Sequence, residues 1–193
     1  MRTPRLVIAH GYTAAPSSHW FPWLSDALTG EVIVPALPAS ETPDDAAWIA
    51  ALHPHLGELG PDTVLLGHSL GAITILRALA ERDDDWSLGG LIVVSGFAES
   101  LTNLPALDAF SAPDLDLDAL AARIDHRAVL VSDDDAIVSP LATLRLAARL
   151  DAPVTVVEGG GHFLAREGHD TLPAVLPLLE RMLPGIVRDP SEE

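Results

Sequence analysis

Residues 63 to 79 read TVLLGHSLGAITILRAL, and this stretch decides the fold. The apolar run Thr63–Leu66 predicts a buried strand, and the run Leu70–Glu81, rich in alanine, leucine and isoleucine, predicts a helix. A strand that passes straight into a helix brings two backbones too close for a β-carbon, which explains the glycines Gly67 and Gly71. We therefore expect Ser69 at the tip of a tight strand–turn–helix unit.

The rest of the chain repeats this alternation of short apolar runs and helical stretches. Five further strands are expected, at Leu6–Ala9, Glu31–Val34, Leu91–Val94, Ala128–Val131 and Val154–Val157. Helices are expected after Ser18 as far as Gly30, from Thr42 through Leu52 until Pro54 kinks or ends the helix, at 141–150 and at 171–183. Continuously apolar strands separated by helices are typical of an α/β fold, so we predict a mostly parallel six-stranded sheet with helices on both faces.

The length of 193 residues and the 48% hydrophobic content predict one domain spanning residues 1–193. No internal repeat or linker interrupts the chain. Residues 98–118 break the alternation after the carboxyl end of a strand, where ligands bind in open α/β sheets, and are expected to cover part of a substrate site. Residues 186–193 are expected to fray.

Composition excludes several classes of function. A formal net charge of -17 argues against nucleic-acid partners and anionic membranes, because such a field repels phosphate. The chain has no cysteine, which rules out disulfides and thiolate chemistry and fits a reducing compartment. The apolar run Leu6–Ala9 is too short for a signal peptide, and no run is long enough to span a membrane. We expect a soluble, cytoplasmic protein without a cofactor.

Ser69 is the predicted nucleophile, because it lies within the G-x-S-x-G pattern of residues 67–71 at a strand-to-helix turn, the nucleophile elbow. The amide of Leu70, at the positive end of the helix, is an expected donor to the oxyanion. A serine hydroxyl also needs a base. His162 is the predicted base, since it follows a strand and three glycines in VTVVEGGGHFLARE. The side chain of His68 is expected to point away from the reaction.

The carboxylate that orients the base should follow a strand between serine and histidine in the chain. The segment AVLVSDDDAIVSP supplies three candidates, Asp133, Asp134 and Asp135, which residue chemistry alone does not separate. A second oxyanion donor is expected in the loop after the first strand. Gly11 would let the backbone approach there, and the Tyr12 amide is the expected donor.

Five segments resemble the small serine hydrolases of the retinoblastoma-binding protein 9 family, which includes bacterial YdeN-like members. They are VIAHGYTAAPSSHWFPWL, LLGHSLGAITILR, LIVVSGF, VSDDDAIVSP and EGGGHFLAREG. The resemblance implies a compact α/β-hydrolase fold without a large lid and a Ser–Asp–His triad. Aligned with the family's D-D-P-[FI]-[LV]-P type segment, the acid falls on Asp135, with Asp134 second, although Ala136 replaces the usual proline. The family namesake's L-x-C-x-E segment needs a cysteine, so a retinoblastoma-type partner is not expected.

The predicted function is a carboxylesterase-like serine hydrolase that cleaves small esters or amides through an acyl-enzyme. The expected partner is a small-molecule substrate alone, taken by a pocket that favours short neutral or amino-bearing groups and lacks an anion-binding group. The main alternative is a non-catalytic α/β-hydrolase-like binding protein. A metal-dependent hydrolase using His53 and His55 is a third class, although no metal is expected.

Overall fold

The computed structural model describes residues 3–111 and 114–189 of the chain. Within those ranges six strands form one sheet in the order β2-β1-β3-β4-β5-β6, and every neighbouring pair is parallel. The strands are β1 (Arg5–Ala9), β2 (Glu31–Ile33), β3 (Thr63–His68), β4 (Leu88–Val94), β5 (Ile124–Ser132) and β6 (Val154–Val157). The predicted parallel six-stranded sheet is confirmed.

Helices cover both faces of this sheet, as predicted. The α-helices of the described residues are α1 (Phe21–Asp26), α2 (Asp45–Leu56), α3 (Leu70–Ala80), α4 (Asp108–Ser111), α5 (Leu117–Ala121), α6 (Pro140–Arg149) and α7 (Leu176–Met182). Short 3-10 turns lie at Pro105–Leu107, Ala165–Glu167 and Pro173–Val175. Among the described residues, no helix has the length and apolarity to cross a membrane.

Two apolar cores lie on opposite faces of the sheet because side chains alternate along each strand. From β1, Val7 and Ala9 face the core that contains residues of α2 to α6. Leu6 and Ile8 face the core that contains residues of α1 and α7. The central strands β3 and β4 are buried along their whole length, so the sheet is a rigid base for the loops at its carboxyl edge.

The first helix is shorter than predicted. It was expected to start directly after Ser18, but α1 begins at Phe21. The backbone of His19 has a φ of 55°, which a right-handed helix does not allow. Ser18 Oγ instead accepts a hydrogen bond from the Ala15 N–H at 2.9 Å and closes a turn. Pro22 does lie in the first turn of α1, where its missing N–H costs nothing.

The second helix runs on beyond Pro54, whereas the sequence predicted a kink or an end there. Asp44 caps its start by accepting the Ala47 N–H at 2.9 Å. At the other end the Arg5 guanidinium donates to the Leu56 carbonyl. Those terminal carbonyls have no intrahelical donor, so a guanidinium from β1 stabilises the last turn despite the proline.

The expectation of a frayed segment from residue 186 onward is wrong for its first residues. Ile186 is fully buried, and Val187 forms a β-bridge with Leu28. Arg188 donates to the carbonyls of Asp26 and Leu28 at 3.1 and 2.8 Å. Residues 190–193 lie outside the described part of the chain.

Candidate active site

Ser69 lies at the junction of β3 and α3 with a backbone that non-glycine residues rarely adopt, φ 55° and ψ -122°. Its N–H donates to the Val94 carbonyl of β4 at 2.9 Å, which ties the turn to the neighbouring strand. Only 5% of the residue is exposed. A strained backbone of this kind is costly and persists where the surrounding structure enforces it, often at functional sites.

The glycines around Ser69 are required by close backbone approach. A β-carbon at Gly67 would overlap the backbone of Ala72, and one at Gly71 would overlap the Ala9 carbonyl. The crowding expected from the sequence is therefore present. Gly11 lies against the serine itself, since a β-carbon there would sit 3.0 Å from the Ser69 β-carbon.

His162 and Asp135 are joined by a buried hydrogen bond. Asp135 Oδ2 lies 2.7 Å from His162 Nδ1, and the two side chains are 1% and 5% exposed. The other oxygen of Asp135 accepts the N–H groups of Ile137 and Val138 at 2.9 and 3.0 Å. The carboxylate is thus held by its own loop while it contacts the imidazole, and its hydrogen bond leaves His162 Nε2 as the free ring nitrogen.

A cavity of about 270 Å³ brings the predicted serine and histidine together. Ser69 Oγ makes no hydrogen bond to the described residues, so the hydroxyl is available to a ligand. Asn103 and Leu104 belong to the segment predicted to cover the site. The lining consists of Tyr12, Thr13, His19, Ser69, Asn103, Leu104, Ala136, Ile137, His162, Leu164 and Arg166.

Comparison with known proteins decides the family. The serine hydrolase family model matches residues 6–181. The YdeN protein of Bacillus subtilis strain 168 is 38% identical over 180 residues, which cover 92% of this chain and 95% of that protein. This chain belongs to the serine hydrolase family. The resemblance drawn from the sequence is confirmed.

Solved structures show the same fold for this serine hydrolase. The crystal structure of the B. subtilis ydeN product has a TM-score of 0.88 at 37% identity, covering 93% of this chain and 98% of that chain. A YdeN-like protein from Pectobacterium atrosepticum has a TM-score of 0.70 at 18% identity, covering 95% and 92%. A lipase-esterase related protein from Clostridium acetobutylicum has a TM-score of 0.63 at 12% identity, covering 94% and 95%. The last two similarities show the α/β-hydrolase fold alone.

The other two aspartates of the run also contact the loop of His162. Asp133 Oδ1 accepts the Gly159 N–H, and Asp134 Oδ1 accepts the Gly161 N–H, both at 2.8 Å. The Ser132 hydroxyl, at 2.6 Å, and the Gly161 N–H hold the pKa of Asp134 below its ordinary value. Both carboxylates are exposed, and each accepts an N–H of the glycine run at residues 159–161.

Glu167 is a residue that sequence reasoning missed. Its Oε2 accepts the N–H groups of His162 and Leu164 at 2.8 and 3.1 Å. A β-carbon at Gly161 would lie 2.8 Å from that same oxygen, so the glycine gives the carboxylate room. The only sequence signal was a carboxylate five residues after the predicted base, which many surface turns share.

Removing the Glu167 carboxylate is expected to weaken both stability and turnover. Glu167→Ala leaves two partly buried N–H groups without an acceptor and should lower the free energy of unfolding by about 1–3 kcal/mol. Loss of this anchor also lets the imidazole shift, and a displacement of about 1 Å can cost on the order of 100-fold in rate.

The measurements for Glu167 are urea unfolding and kcat on one ester. Glu158→Ala is the matched control, because Glu158 is an exposed carboxylate of the same loop region and removes the same charge. Glu167→Gln retains an acceptor oxygen and should recover most of the turnover. Equal effects of the Glu158 and Glu167 changes would show that charge, and not the anchor, matters.

His68 does not line the cavity, but its side chain contacts His162, which the sequence reasoning did not expect. Its Nε2 donates to the His162 carbonyl at 2.9 Å, and the two rings lie 5.1 Å apart. The residue is 1% exposed, and burial, followed by the charge of His162, holds its pKa well below the ordinary value. A neutral His68 therefore holds the backbone of the predicted base.

His10 fixes the loop that carries Tyr12. Its Nε2 accepts the Leu37 N–H at 3.1 Å, so its Nδ1 carries the proton and donates to the Gly11 carbonyl at 3.0 Å. In a trans peptide the carbonyl and the following N–H point in opposite directions. Holding the Gly11 oxygen therefore also sets the direction of the Tyr12 N–H, which donates to no described residue. Burial lowers the pKa of His10 and keeps this tautomer neutral.

His53 and His55 lie on α2 and do not line the cavity. His53 Nε2 lies 3.7 Å from Glu81 Oε2. Across residues 3–111 and 114–189, no group of three or more potential ligand side chains is arranged to hold a metal ion.

Proposed function

We propose that this serine hydrolase cleaves small carboxylic esters or amides through an acyl-enzyme, with Ser69 as nucleophile, His162 as base and Asp135 as the acid that orients the base. The observation that carries the proposal is the buried contact of 2.7 Å between Asp135 Oδ2 and His162 Nδ1 at a cavity that Ser69 also lines. Family membership supports the same class of chemistry.

The proposed reaction begins when Ser69 Oγ attacks the carbonyl carbon of the substrate and its proton passes to His162 Nε2. The imidazolium then gives this proton to the leaving alcohol or amine, and the acyl group stays on Ser69. Water repeats the cycle and releases the carboxylic acid. Asp135 stabilises the imidazolium in both halves, because its carboxylate stays on the Nδ1–H side of the ring.

The negative oxygen formed in each half needs hydrogen-bond donors. Leu70 is the first residue of α3, so its N–H has no partner within the helix and lies at the positive end of the helix dipole. The Tyr12 N–H is the second proposed donor, held in direction by His10 through Gly11. Mutational data on other enzymes give about 2.7–4 kcal/mol of barrier for one such donor.

The cavity volume supports small substrates. Ligand pockets commonly measure about 300–1,000 Å³, and this one lies just below that range. The deciding experiment compares wild type with Ser69→Ala on p-nitrophenyl esters of increasing chain length and on aminoacyl amides. Turnover of the short esters and labelling by a fluorophosphonate are expected. A folded wild type that shows neither would favour the binding-protein alternative.

The three aspartates provide a test of the proposed acid. Asp135→Asn should lower kcat by about four orders of magnitude, because an amide stabilises the wrong imidazole tautomer and no imidazolium. Asp134→Asn keeps an oxygen for the Gly161 N–H and should cost less than about tenfold. Asp133→Asn should behave like Asp134→Asn.

The readout is kcat for the three Asn variants on one short ester, with circular dichroism to show that each is folded. Near-normal turnover in Asp135→Asn together with an inactive Asp134→Asn would show that Asp134, and not Asp135, is the acid.

A further inference from the structure

Arg166 differs from most of the arginines of this chain, which has no lysine. Most described arginines are bound, for example Arg77 to Asp45 and Arg145 to Glu99. Arg166 is exposed and forms no hydrogen bond or ion pair with the residues of 3–111 and 114–189. It lines the cavity that also holds Ser69 and His162. An unpaired cation therefore lies within the candidate active site.

The backbone that carries Arg166 is tied down on both sides. The Ala165 N–H donates to His19 Nδ1 at 3.1 Å. On the other side, Glu167 Oε2 accepts hydrogen bonds from the N–H groups of His162 and Leu164. The neighbouring carboxylate is thus engaged with the backbone, and the guanidinium is presented from a fixed turn. The positive charge also acts on the cavity, since it helps to lower the pKa of His19 after burial and His162.

The net charge of the chain is -17, and the sequence analysis therefore predicted a pocket without an anion-binding group. The position of Arg166 is opposite to that prediction. The distance over which each charge acts decides between the repulsion by the net charge and the attraction by Arg166. At physiological ionic strength, charges more than about 8 Å away are largely screened. A pair in direct contact lies well inside this screening length, and a guanidinium matches a carboxylate with two parallel hydrogen bonds. A bound anion therefore senses Arg166 more strongly than it senses the distant carboxylates.

We propose that Arg166 binds a carboxylate group of the substrate, so that the preferred substrates are small esters or amides that carry a carboxylate away from the bond that is cleaved. The proposal rests on the proposed function, because it assigns the substrate class of that same site. It replaces the expectation that neutral or amino-bearing esters are favoured.

The test uses two substrates of the same shape and different charge, the acetyl esters of para-hydroxybenzoate and para-hydroxybenzamide. In Arg166→Gln, kcat/KM should fall about three- to tenfold for the carboxylate ester, the range of a partly exposed ion pair. For the amide ester it should stay within about twofold. Arg166→Lys keeps the charge without the planar fork and should recover part of the ratio.

Arg181→Gln is the matched control. Arg181 is an exposed arginine of α7 that does not line the cavity, and its loss changes the net charge by the same amount. In Arg181→Gln, the ratio of kcat/KM for the carboxylate ester to kcat/KM for the amide ester should equal the wild-type ratio. An unchanged ratio in Arg166→Gln, or an equal fall in Arg181→Gln, would overturn the proposal.

A binding measurement separates this inference from the proposed reaction. Titration calorimetry with para-hydroxybenzoate needs no turnover, and binding should weaken about three- to tenfold in Arg166→Gln and not in Arg181→Gln. If neither ester is hydrolysed and the titration shows this difference, the reaction fails while the carboxylate site stands. If both esters are hydrolysed and the titration shows no difference, the carboxylate site fails while the reaction stands.

Discussion

Ser69→Ala is expected to reduce ester hydrolysis by about four to six orders of magnitude and to abolish labelling by a fluorophosphonate. In the proposed mechanism this hydroxyl forms the acyl-enzyme, and the chain has no cysteine that could replace it. The substitution should leave the fold intact, because alanine is smaller than serine and Ser69 Oγ has no hydrogen-bond partner among the described residues. Labelling that persists in Ser69→Ala would exclude this serine as the nucleophile.

A companion variant shows that the loss is chemical and not structural. Ser69→Gly also lacks the hydroxyl, but glycine tolerates the φ of 55° that strains serine and alanine alike. The glycine variant should therefore be more stable than the alanine variant by about 1 kcal/mol in urea unfolding, while both are inactive. A glycine variant less stable than the alanine variant would mean that the turn is not strained.

His162→Ala is expected to have a loss of activity similar to that of Ser69→Ala, because the serine proton then has no acceptor. The decisive variant is the double one. Members of a triad act as a unit, so Ser69→Ala combined with His162→Ala should be no slower than either single variant. Losses that multiply in the double variant would show that the two residues act independently.

The control for His162 is His169→Gln, in the same loop region. The His169 ring packs on Phe163 at 5.5 Å and does not line the cavity, so turnover should stay within a few-fold of wild type. His68 is a poor control, since it donates to the His162 carbonyl and its removal would leave a buried gap. An inactive, folded His169→Gln with an active His162→Ala would reassign the base.

Much of the fold was predictable because its signals are local. Val154–Val157 is a strand with the predicted bounds, and β3 and β5 were found from their apolar runs although each extends further. The outer parts of β5 contain Asp125 and His126, which are exposed and carry no apolar signal. The ends of the helices were harder to predict from the sequence. A positive φ at His19 and a guanidinium from Arg5 decided where α1 begins and where α2 ends.

In the candidate site, too, some residues could be predicted from local sequence and others could not. Ser69 was predicted from the sequence because the strand-to-helix turn needs glycine on both sides, and His162 was predicted because three glycines precede it after a strand. The choice among Asp133, Asp134 and Asp135 rested mainly on family resemblance. In the structure Asp133 and Asp134 accept N–H groups of the glycines that precede His162, and only Asp135 contacts the imidazole.

By itself, the sequence determined the order of strands and helices and the strand-to-helix turn at Ser69, and it predicted the serine and the histidine of the proposed triad. Each of these depends on neighbouring residues, through apolar period, steric crowding or glycine content. Only the tertiary structure decided what Glu167 and His68 contact and where Arg166 lies. Glu167 and His68 act on His162 through backbone N–H and carbonyl groups, which are the same in every residue and leave no mark in the sequence. Arg166 stands out only because it lines the cavity and has no carboxylate partner among residues 3–111 and 114–189.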